Sequence, residues 1–468
     1  MELKTSLYLY QQEAVDKLLG LRIGALYMEM GTGKTRTALE IIKRRVDAGK
    51  LSRVLWLCPC SVKGSLNRDI DKHASGTEEI RIEGIESLSA SARLYEDLST
   101  WCDGQDTMLI VDESNLVKNH RAIRSRRIVG IAERCKYRMI LNGTPISKSI
   151  ADMYNQWYIL DWRVLGYQSF WSFAANHLEY DERIHGRVVR ALNLNYLMHK
   201  IAPYTYQARK EDHLQLPEKS YTHWYFSLDR HQEMHYHDVA ENLMLLLDDE
   251  KPSTIYRLLT AMQLIACGRR ITSIDTHLKS EPFYADAGDD SRLDCLLDNL
   301  QTLSDKVIIF CRYSFEIHRV TEALAAQYGA ESVVQFYGEL PLKAREASIR
   351  AFEGPVRFLV ANRVCAGYGL NLQFCHQVVY YSNDWDFATR IQSEDRVHRI
   401  GQDEEVNIYD IYAEDTIDER IMKCLLRKEN LVESFKDRLK SKNREALRNW
   451  VNGTEDNDGE SLHTPERV

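Results

Sequence analysis

A glycine-rich segment near the start of the chain constrains its fold more than any other feature. Residues 28–35 read Met-Glu-Met-Gly-Thr-Gly-Lys-Thr, after the apolar run Ile23–Met28 and before an amphipathic stretch. A buried strand, a glycine turn and a helix in this order are typical of a phosphate-binding loop, because the helix N-terminus presents free N–H groups to an anion. The segment predicts a nucleotide-binding α/β lobe, although Met28 stands where the first glycine is usual.

Each residue of this loop has an expected role. The turn formed by Gly31, Thr32 and Gly33 is expected to direct backbone N–H groups at the β-phosphate of ATP, and Lys34 to neutralise the β and γ oxygens. The Thr35 hydroxyl is expected to bind Mg²⁺. The alternative is a glycine turn without a ligand.

A pair of acidic residues follows the apolar strand Met108–Val111. Adjacent buried carboxylates are costly unless a cation compensates them. Asp112 is therefore expected to bind Mg²⁺ through water, and Glu113 to polarise the attacking water. The alternative is a pair that caps the following helix.

Two arginines near the end of the α/β pattern are candidates for the stabilisation of transferred phosphate. Arg396 and Arg399 are one helical turn apart, which predicts that they share a helix face. Paired guanidiniums suit the charge of a γ-phosphoryl group in transfer. The alternative is an exposed ion-pair cluster with Glu394 and Asp395. Because the arginines lie in a different lobe from the phosphate loop, we expect hydrolysis to require closure of the lobes, as in a motor.

Apolar runs typical of buried parallel strands recur in two parts of the chain, which predicts an α/β fold with two lobes in tandem. They are Ile23–Met28, Val54–Cys58, Met108–Val111 and Met139–Leu141, then Val307–Cys311, Val333–Phe336, Phe358–Ala361, Val378–Tyr381 and Val406–Ile411. The predicted divisions are lobe 1 at 1–146, a helical insertion at 147–290, lobe 2 at 291–416, a basic helical segment at 417–451 and a disordered tail at 452–468.

The insertion contains aromatic residues at helical spacing, which we interpret as core in preference to a base-stacking surface. They are Trp157, Trp162, Phe170, Trp171 and Phe173. The basic segment at 417–451 fits a solvated helix or, alternatively, a face for DNA phosphates.

Composition excludes several classes of protein. With 61 Lys+Arg against 69 Asp+Glu the net charge is −8, so a nucleic-acid surface must be local. No apolar run reaches the roughly 18 residues needed to cross a bilayer, and no leader is visible, so we expect no membrane partner and a cytoplasmic location. The ten cysteines form no CxxC pair, which predicts reduced thiols and no structural metal. His231, His235 and His237 are interpreted as a polar helix surface, with a metal cluster as the alternative.

The order of these segments resembles the Swi/Snf-type ATPases, the duplex-DNA translocase branch of the superfamily 2 helicases, over about residues 5–435. Further segments that follow the family order are 9–15, 57–61, 112–119, 141–146, 216–219, 258–263, 306–310, 336–338, 367–372, 384–385 and 392–402. The chain departs from the family pattern at Asn115, where histidine is usual, and at Asn142, where threonine or serine is usual. These two departures bear on the coupling of hydrolysis to DNA.

The resemblance implies two RecA-like lobes that bind ATP and Mg²⁺ and track along double-stranded DNA without separating its strands. It places Gln11, Gly369 and Gln392 near the nucleotide. It implies DNA contacts by the following residues: Pro59, Ser61, Lys118, Asn119, Asn371 and Trp385. Arg121, Arg124, Arg126 and Arg127 add to that surface or form a solvated helix.

The expected function is that of an ATP-dependent translocase that displaces or remodels DNA-bound proteins. The absence of chromatin-reading, zinc-finger and nuclease motifs from this sequence favours a compact bacterial or bacteriophage type. The alternatives are a strand-separating DNA or RNA helicase and a non-enzymatic DNA-binding scaffold. A scaffold has no need of Lys34, Glu113 and Arg399 together.

Overall fold

The computed structural model describes residues 1–144, 149–180, 188–214, 216–245, 252–274, 278–284, 290–362, 370–427 and 449–451, together with Leu431 and Phe435. The chain divides into two compact units, and the main boundary lies between Gln215 and Leu216. We call them the first unit and the second unit.

The first unit contains ten strands and ten α-helices within the described residues. The strands are β1 Glu2–Leu3, β2 Ile23–Met28, β3 Arg53–Cys58, β4 Ala74–Ser75, β5 Ile80–Gly84, β6 Thr107–Val111, β7 Tyr137–Asn142, β8 Leu178–Tyr180, β9 Val188–Ala191 and β10 Thr205–Ala208. The helices are α1 Leu9–Leu18, α2 Lys34–Asp47, α3 Lys63–His73, α4 Ser87–Ala90, α5 Ala92–Cys102, α6 Ile123–Ala132, α7 Ala151–Leu165, α8 Phe170–His177, α9 Leu194–Ile201 and α10 Lys210–His213.

The second unit contains eight strands and seven α-helices within the described residues. The strands are β11 Lys219–Phe226, β12 Arg269–Ser273, β13 Lys279–Pro282, β14 Val307–Cys311, β15 Val333–Phe336, β16 Phe358–Asn362, β17 Gln377–Tyr380 and β18 Val406–Ala413. The helices are α11 Arg230–Leu245, α12 Pro252–Ala266, α13 Ser291–Leu300, α14 Ser314–Tyr328, α15 Leu342–Glu353, α16 Phe387–Glu394 and α17 Ile417–Leu426.

Each unit is built around one six-stranded sheet in which all neighbouring strands are parallel. The order is β10-β2-β7-β6-β3-β5 in the first unit and β11-β18-β17-β14-β16-β15 in the second. Both faces of the first sheet are buried, because Leu55 and Leu57 pack into one core while Val54 and Trp56 pack into the other. The prediction of two parallel-sheet lobes in tandem is confirmed.

The segment 147–290, predicted as a single helical insertion, contains a strand of each sheet. Its first part supplies β10, which pairs with β2 at the edge of the first sheet, and its second part supplies β11, which pairs with β18 at the edge of the second. The segment also contains the hairpins β8–β9 and β12–β13. Strands β10 and β11 are partly exposed and lack a continuous apolar run, so the sequence pattern that marks the central strands does not mark them.

The aromatic residues of this segment differ in burial: Phe170 is partly buried against the core, and Trp162 is half-buried. Trp157 is fully buried and its Nε1 donates to the Tyr27 hydroxyl at 3.1 Å, and Phe173 is also buried. Trp171, by contrast, is 60% exposed, and the Arg121 guanidinium lies 5.2 Å from the centre of its ring. The prediction of core therefore fails for Trp171.

The start of the basic segment at 417–451 is not a solvated helix. In α17 the residues Ile417, Ile421 and Leu425 are buried in the second unit. The residues that carry most of the positive charge lie outside the described part of the chain, as does the predicted tail at 452–468: Lys436, Arg438, Lys440, Lys442, Arg444 and Arg448.

Within the described residues no helix combines the length and the apolar character needed to span a membrane. The same residues contain no group of three or more side chains placed to hold a metal ion. In α11 the His235 Nε2 accepts a hydrogen bond from the Ile271 backbone N–H at 3.0 Å.

A buried arginine ties together four elements of the second unit. Arg292, on α13, is 1% exposed. Its guanidinium donates to the backbone oxygens of Ala266 at 3.2 Å and Tyr381 at 2.5 Å, and also to the Asp418 carboxylate. The ends of α12 and β17 and the start of α17 are thus held to α13 by one charge.

We expect Asp418→Ala to lower the free energy of unfolding of the second unit by about 3–5 kcal/mol, because it leaves the Arg292 charge buried without its counter-ion. Denaturant unfolding monitored by tryptophan fluorescence measures this. The matched control is Asp305→Ala, which removes a 56% exposed carboxylate paired with His376 and is expected to cost under about 1 kcal/mol. Equal losses in the two variants would contradict the structural role of Arg292.

Candidate nucleotide-binding and hydrolysis site

The glycine loop connects the carboxyl end of β2 to α2, as its sequence predicts. Gly31 and Gly33 have φ values of 79° and 84°, in the left-handed region that favours glycine. The Lys34 Nζ donates to the backbone oxygens of Met28 at 2.8 Å and Glu29 at 3.4 Å. Lys34 is the first residue of α2, and its side chain therefore bonds back to the residues that begin the loop.

Gln11 lies directly against this loop. Its side chain is 2% exposed, and its Nε2 donates to the Thr32 backbone oxygen at 2.9 Å. The Tyr10 hydroxyl donates to the same oxygen at 2.8 Å, and the Gln11 Oε1 accepts from the Tyr8 N–H at 3.0 Å. Sequence reasoning singled out Gln11 but missed Tyr10.

The acidic pair follows β6, at the same edge of the sheet as the glycine loop. Glu113 has a φ of 47°, which is uncommon for a residue with a side chain, and its N–H donates to the Asp112 Oδ1 at 2.9 Å. Such backbone strain costs about 1–3 kcal/mol and is typical of functional sites. Ser114 begins the short 3₁₀ turn that follows, and its hydroxyl donates to the Gln156 Oε1 at 2.5 Å.

The electrostatics of the pair suit a cation. Removal from water and the neighbouring charge of Glu113 both raise the pKa of Asp112, Lys34 partly opposes them, and the net result is a pKa of about 7. A carboxylate and the Thr35 hydroxyl are hard oxygen donors of the kind that Mg²⁺ prefers. The residues present therefore fit a magnesium ion.

The two departures from the family pattern have different surroundings. The Asn142 Oδ1 accepts from the N–H of Gly143 at 2.8 Å. The Asn115 Oδ1 is buried and has no hydrogen-bond partner among the residues that the structure describes. An unsatisfied buried oxygen so close to the acidic pair is a local cost that a partner or ion would relieve.

In the second unit the predicted helical pairing of the two arginines is wrong. Helix α16 ends at Glu394, and Arg396 and Arg399 lie in the turns that follow it. Arg396 is 9% exposed, whereas the Arg399 Nη1 donates to the Asn371 Oδ1 at 2.5 Å on the surface. The side chain of Gln392 is half-buried in the last turn of α16. Residues 395–400 form turns and not a helix. Helical spacing therefore does not decide which way the two arginines point.

Four predicted residues of the first unit lie in connections after its strands. Pro59 is buried and precedes the short turn that contains Ser61, after β3. The Lys118 Nζ is 3.1 Å from an Asp152 carboxylate oxygen. Asn119 is exposed, and its Oδ1 accepts from the Arg121 N–H at 2.9 Å.

The four arginines after the acidic pair are not equivalent. Arg124 donates to the Leu116 backbone oxygen at 2.9 Å and Arg127 to that of Leu88 at 2.6 Å, so both hold the fold. Arg121 and Arg126 are exposed. Gly369, which the resemblance placed near the nucleotide, lies outside the described residues, as do Pro145 and Ile146 of the segment after β7.

Trp385 belongs to a buried polar cluster, which sequence reasoning missed. Its indole is 9% exposed, and its Nε1 donates to the Gln263 Oε1 at 2.9 Å. The Arg312 guanidinium lies 4.2 Å from the ring centre and also donates to Gln263. The Gln263 Nε2 donates to the Asn383 backbone oxygen at 2.7 Å. This arrangement makes Trp385 a support for the ends of β14 and β17, and its contact with DNA stays a prediction.

Comparisons with known proteins identify both halves of the chain. A SNF2-related domain matches residues 72–279, and a Helicase conserved C-terminal domain matches residues 291–401. An uncharacterized ATP-dependent helicase of Bacillus subtilis is 24% identical, over 90% of this chain and 77% of the relative.

Other relatives are longer than this chain. An uncharacterized ATP-dependent helicase of Mycoplasma genitalium is 24% identical over 90% of this chain and 41% of its own length, and the TATA-binding protein-associated factor MOT1 of Saccharomyces cerevisiae is 23% identical over 90% and 27%. The chain thus spans less than half of these two relatives. The solved SWI2/SNF2 ATPase core of Sulfolobus solfataricus in complex with dsDNA aligns with a TM-score of 0.41 and 21% identity, over 96% of this chain and 97% of that one.

We expect Gly33→Ala to weaken ATP binding more than about tenfold. A Cβ at Gly33 lies 2.3 Å from the Gln11 Nε2, and the left-handed backbone costs a further 1–2 kcal/mol, by a rough estimate, for any residue with a side chain. Titration with a fluorescent ATP analogue measures this.

Gly49→Ala is the matched control. Gly49 follows the other end of α2 with a φ of 63°, but a Cβ there meets nothing within 4 Å. This variant is expected to lose some stability and to keep nucleotide affinity. Similar affinities for the two variants would show that the packing of Gln11 on the loop is unimportant.

Proposed function

The chain belongs to the Swi/Snf-type, SNF2-related family of helicase-like ATP hydrolases, and on this basis we propose that it is a DNA-stimulated ATPase that translocates along duplex DNA. The observation that carries the proposal is the arrangement at one edge of the first sheet. There the glycine loop with Lys34 follows β2, and Asp112 and Glu113 follow β6. These are the groups that ATP hydrolysis requires.

The roles of the residues in the first unit follow from their atoms. The loop N–H groups bind phosphate oxygens, and Lys34 exchanges the Met28 carbonyl for the β and γ oxygens. Thr35 and Asp112 would hold Mg²⁺, which would neutralise phosphate charge. Glu113, fixed by its strained backbone, orients the attacking water and accepts its proton.

The second unit contributes positive charge to turnover. Arg396 and Arg399 supply guanidinium groups to the charge that develops on the γ-phosphoryl group. The bond from Arg399 to Asn371 links the arginine segment to a residue that the family resemblance places on DNA. Because Lys34 and Arg399 belong to different units, turnover depends on both units.

Duplex DNA is the proposed track. Pro59, Ser61, Lys118, Asn119 and Asn371 follow strands of the two sheets, and the exposed members can contact phosphate and sugar. Such contacts do not depend on the base sequence, and the affinity for DNA that they provide falls steeply as the salt concentration rises. The exposed Arg121 adds charge beside them. DNA-bound proteins are the proposed targets of displacement, and the cytoplasm is the proposed location.

We expect Glu113→Gln to retain ATP binding and to lower the rate of hydrolysis by about 10²–10⁴-fold, because the amide cannot accept the proton of the attacking water. Release of inorganic phosphate measures the rate. Ser99→Ala, at a buried residue of α5, is the control for general effects on the first unit. Normal turnover in Glu113→Gln would remove Glu113 from the role of base.

Arg399→Lys is expected to lower kcat by about 10³-fold with little change in nucleotide affinity, since lysine keeps the charge but loses the planar fork. The control is Arg350→Lys on the exposed surface of α15. An equal loss of affinity and of rate would make Arg399 a ligand of bound ATP in place of a group that acts in the transition state.

The experiment that tests the proposal is steady-state ATP hydrolysis without nucleic acid and with duplex DNA, single-stranded DNA or RNA, with Glu113→Gln as the blank. Strong stimulation by duplex DNA is expected. Stimulation by single strands or RNA alone would favour the alternative of a strand-separating helicase. No turnover under any condition would favour a DNA-binding scaffold.

A further inference from the structure

The segment that leaves the first unit is bonded to the nucleotide loop. Strand β10 ends at Ala208, α10 ends at His213, and the chain enters the second unit after Gln215. Between these points the segment 208–214, which we call the exit segment, contacts both Glu29 and Tyr10. Neither contact is a consequence of strand pairing alone.

Glu29 is bonded to the loop on one side and to the exit segment on the other. Its N–H donates to the Ala208 oxygen at 3.0 Å, and its Oε2 accepts from the Lys210 N–H at 2.8 Å. Its backbone oxygen accepts from the Thr32 hydroxyl at 2.7 Å and from the Lys34 Nζ at 3.4 Å. The phosphate-binding Lys34 and the exit segment are therefore both hydrogen-bonded to Glu29.

A second contact joins the exit segment to the Gln11 side of the loop. The His213 ring stacks on the Tyr10 ring, with 4.7 Å between centroids and an angle of 17°. The Tyr10 hydroxyl in turn donates to the Thr32 oxygen. The first residue of α10 is thus connected to the glycine loop through Glu29, and its last residue is connected to the loop through Tyr10.

We propose that Glu29 and His213 are positioning residues that couple nucleotide occupancy of the loop to the conformation of the exit segment. This inference rests on the proposed function of the loop as the ATP site. When Lys34 turns to the phosphates it leaves the oxygens of Met28 and Glu29, and the change at Glu29 reaches Ala208 and Lys210 through the bonds described.

The coupling has a thermodynamic consequence. If nucleotide shifts the exit segment between two arrangements, the arrangement of the exit segment changes nucleotide affinity by the same factor. A force on the chain at the start of the second unit would then change the affinity of the phosphate loop for nucleotide. This gives the two units a covalent route of communication that needs no further contact.

The test is hydrogen–deuterium exchange of peptides that cover 206–214 in the full chain, with and without ADP. ADP is used at saturation for each variant, so that a change in affinity does not mimic a loss of coupling. In the wild-type chain, ADP is expected to change the exchange rate of the exit segment by about fivefold or more.

Three variants separate coupling from folding. Glu29→Ala removes the acceptor for the Lys210 N–H and is expected to reduce the ADP response to less than about twofold. Glu29→Gln keeps an oxygen acceptor and is expected to restore it. Glu211→Ala alters a carboxylate of α10 that is 74% exposed and is expected to respond like wild type.

If Glu29→Ala fails to fold, the His213 pair gives the same test. His213→Ala removes the stacked ring and is expected to diminish the response, while His213→Phe keeps a ring and is expected to preserve it. A full ADP response in Glu29→Ala or His213→Ala would overturn the coupling.

The outcomes for the wild-type chain separate the two proposals. ADP binding without any exchange response would refute the coupling alone. Failure of the wild-type chain to bind ADP would refute the proposed function, and the coupling with it.

Discussion

The left-handed turn at Gly31 and Gly33 is the constraint on which the nucleotide site depends. It joins β2 to α2 and makes Gly33 the N-cap of that helix, whose first N–H groups have no partner within the helix. The Gln11 side chain fills the space where a Cβ at Gly33 would lie. Gln11 lies outside the loop, and its side chain donates a hydrogen bond to the Thr32 backbone oxygen. A loop fixed in this way needs little reorganisation when phosphate binds.

The second unit uses buried polar side chains to hold the carboxyl ends of its strands. Gln263 links α12 to Asn383, Trp385 and Arg312, and Arg292 holds α13 to Asp418. These groups are costly to bury unless every partner is present. Their satisfaction fixes the turns that follow β14 and β17 and supports the segment that carries the arginines.

The central strands and the glycine loop could be predicted from sequence because both depend on local patterns. The runs at β2, β6 and β14 are continuous and apolar, and the loop requires glycine at left-handed positions. The edge strands β10 and β11 could not be predicted, since neither contains a continuous apolar run. Trp171 was assigned to the core and is exposed, because helical spacing says nothing about which side chain meets a tertiary partner.

The most direct test of the central claim is displacement of a third DNA strand from a triplex placed on a longer duplex. Wild-type protein with ATP is expected to release the third strand while the duplex stays intact, and Glu113→Gln is expected to leave both in place. Separation of the duplex strands, or no release of the third strand despite DNA-stimulated hydrolysis, would contradict translocation along duplex DNA.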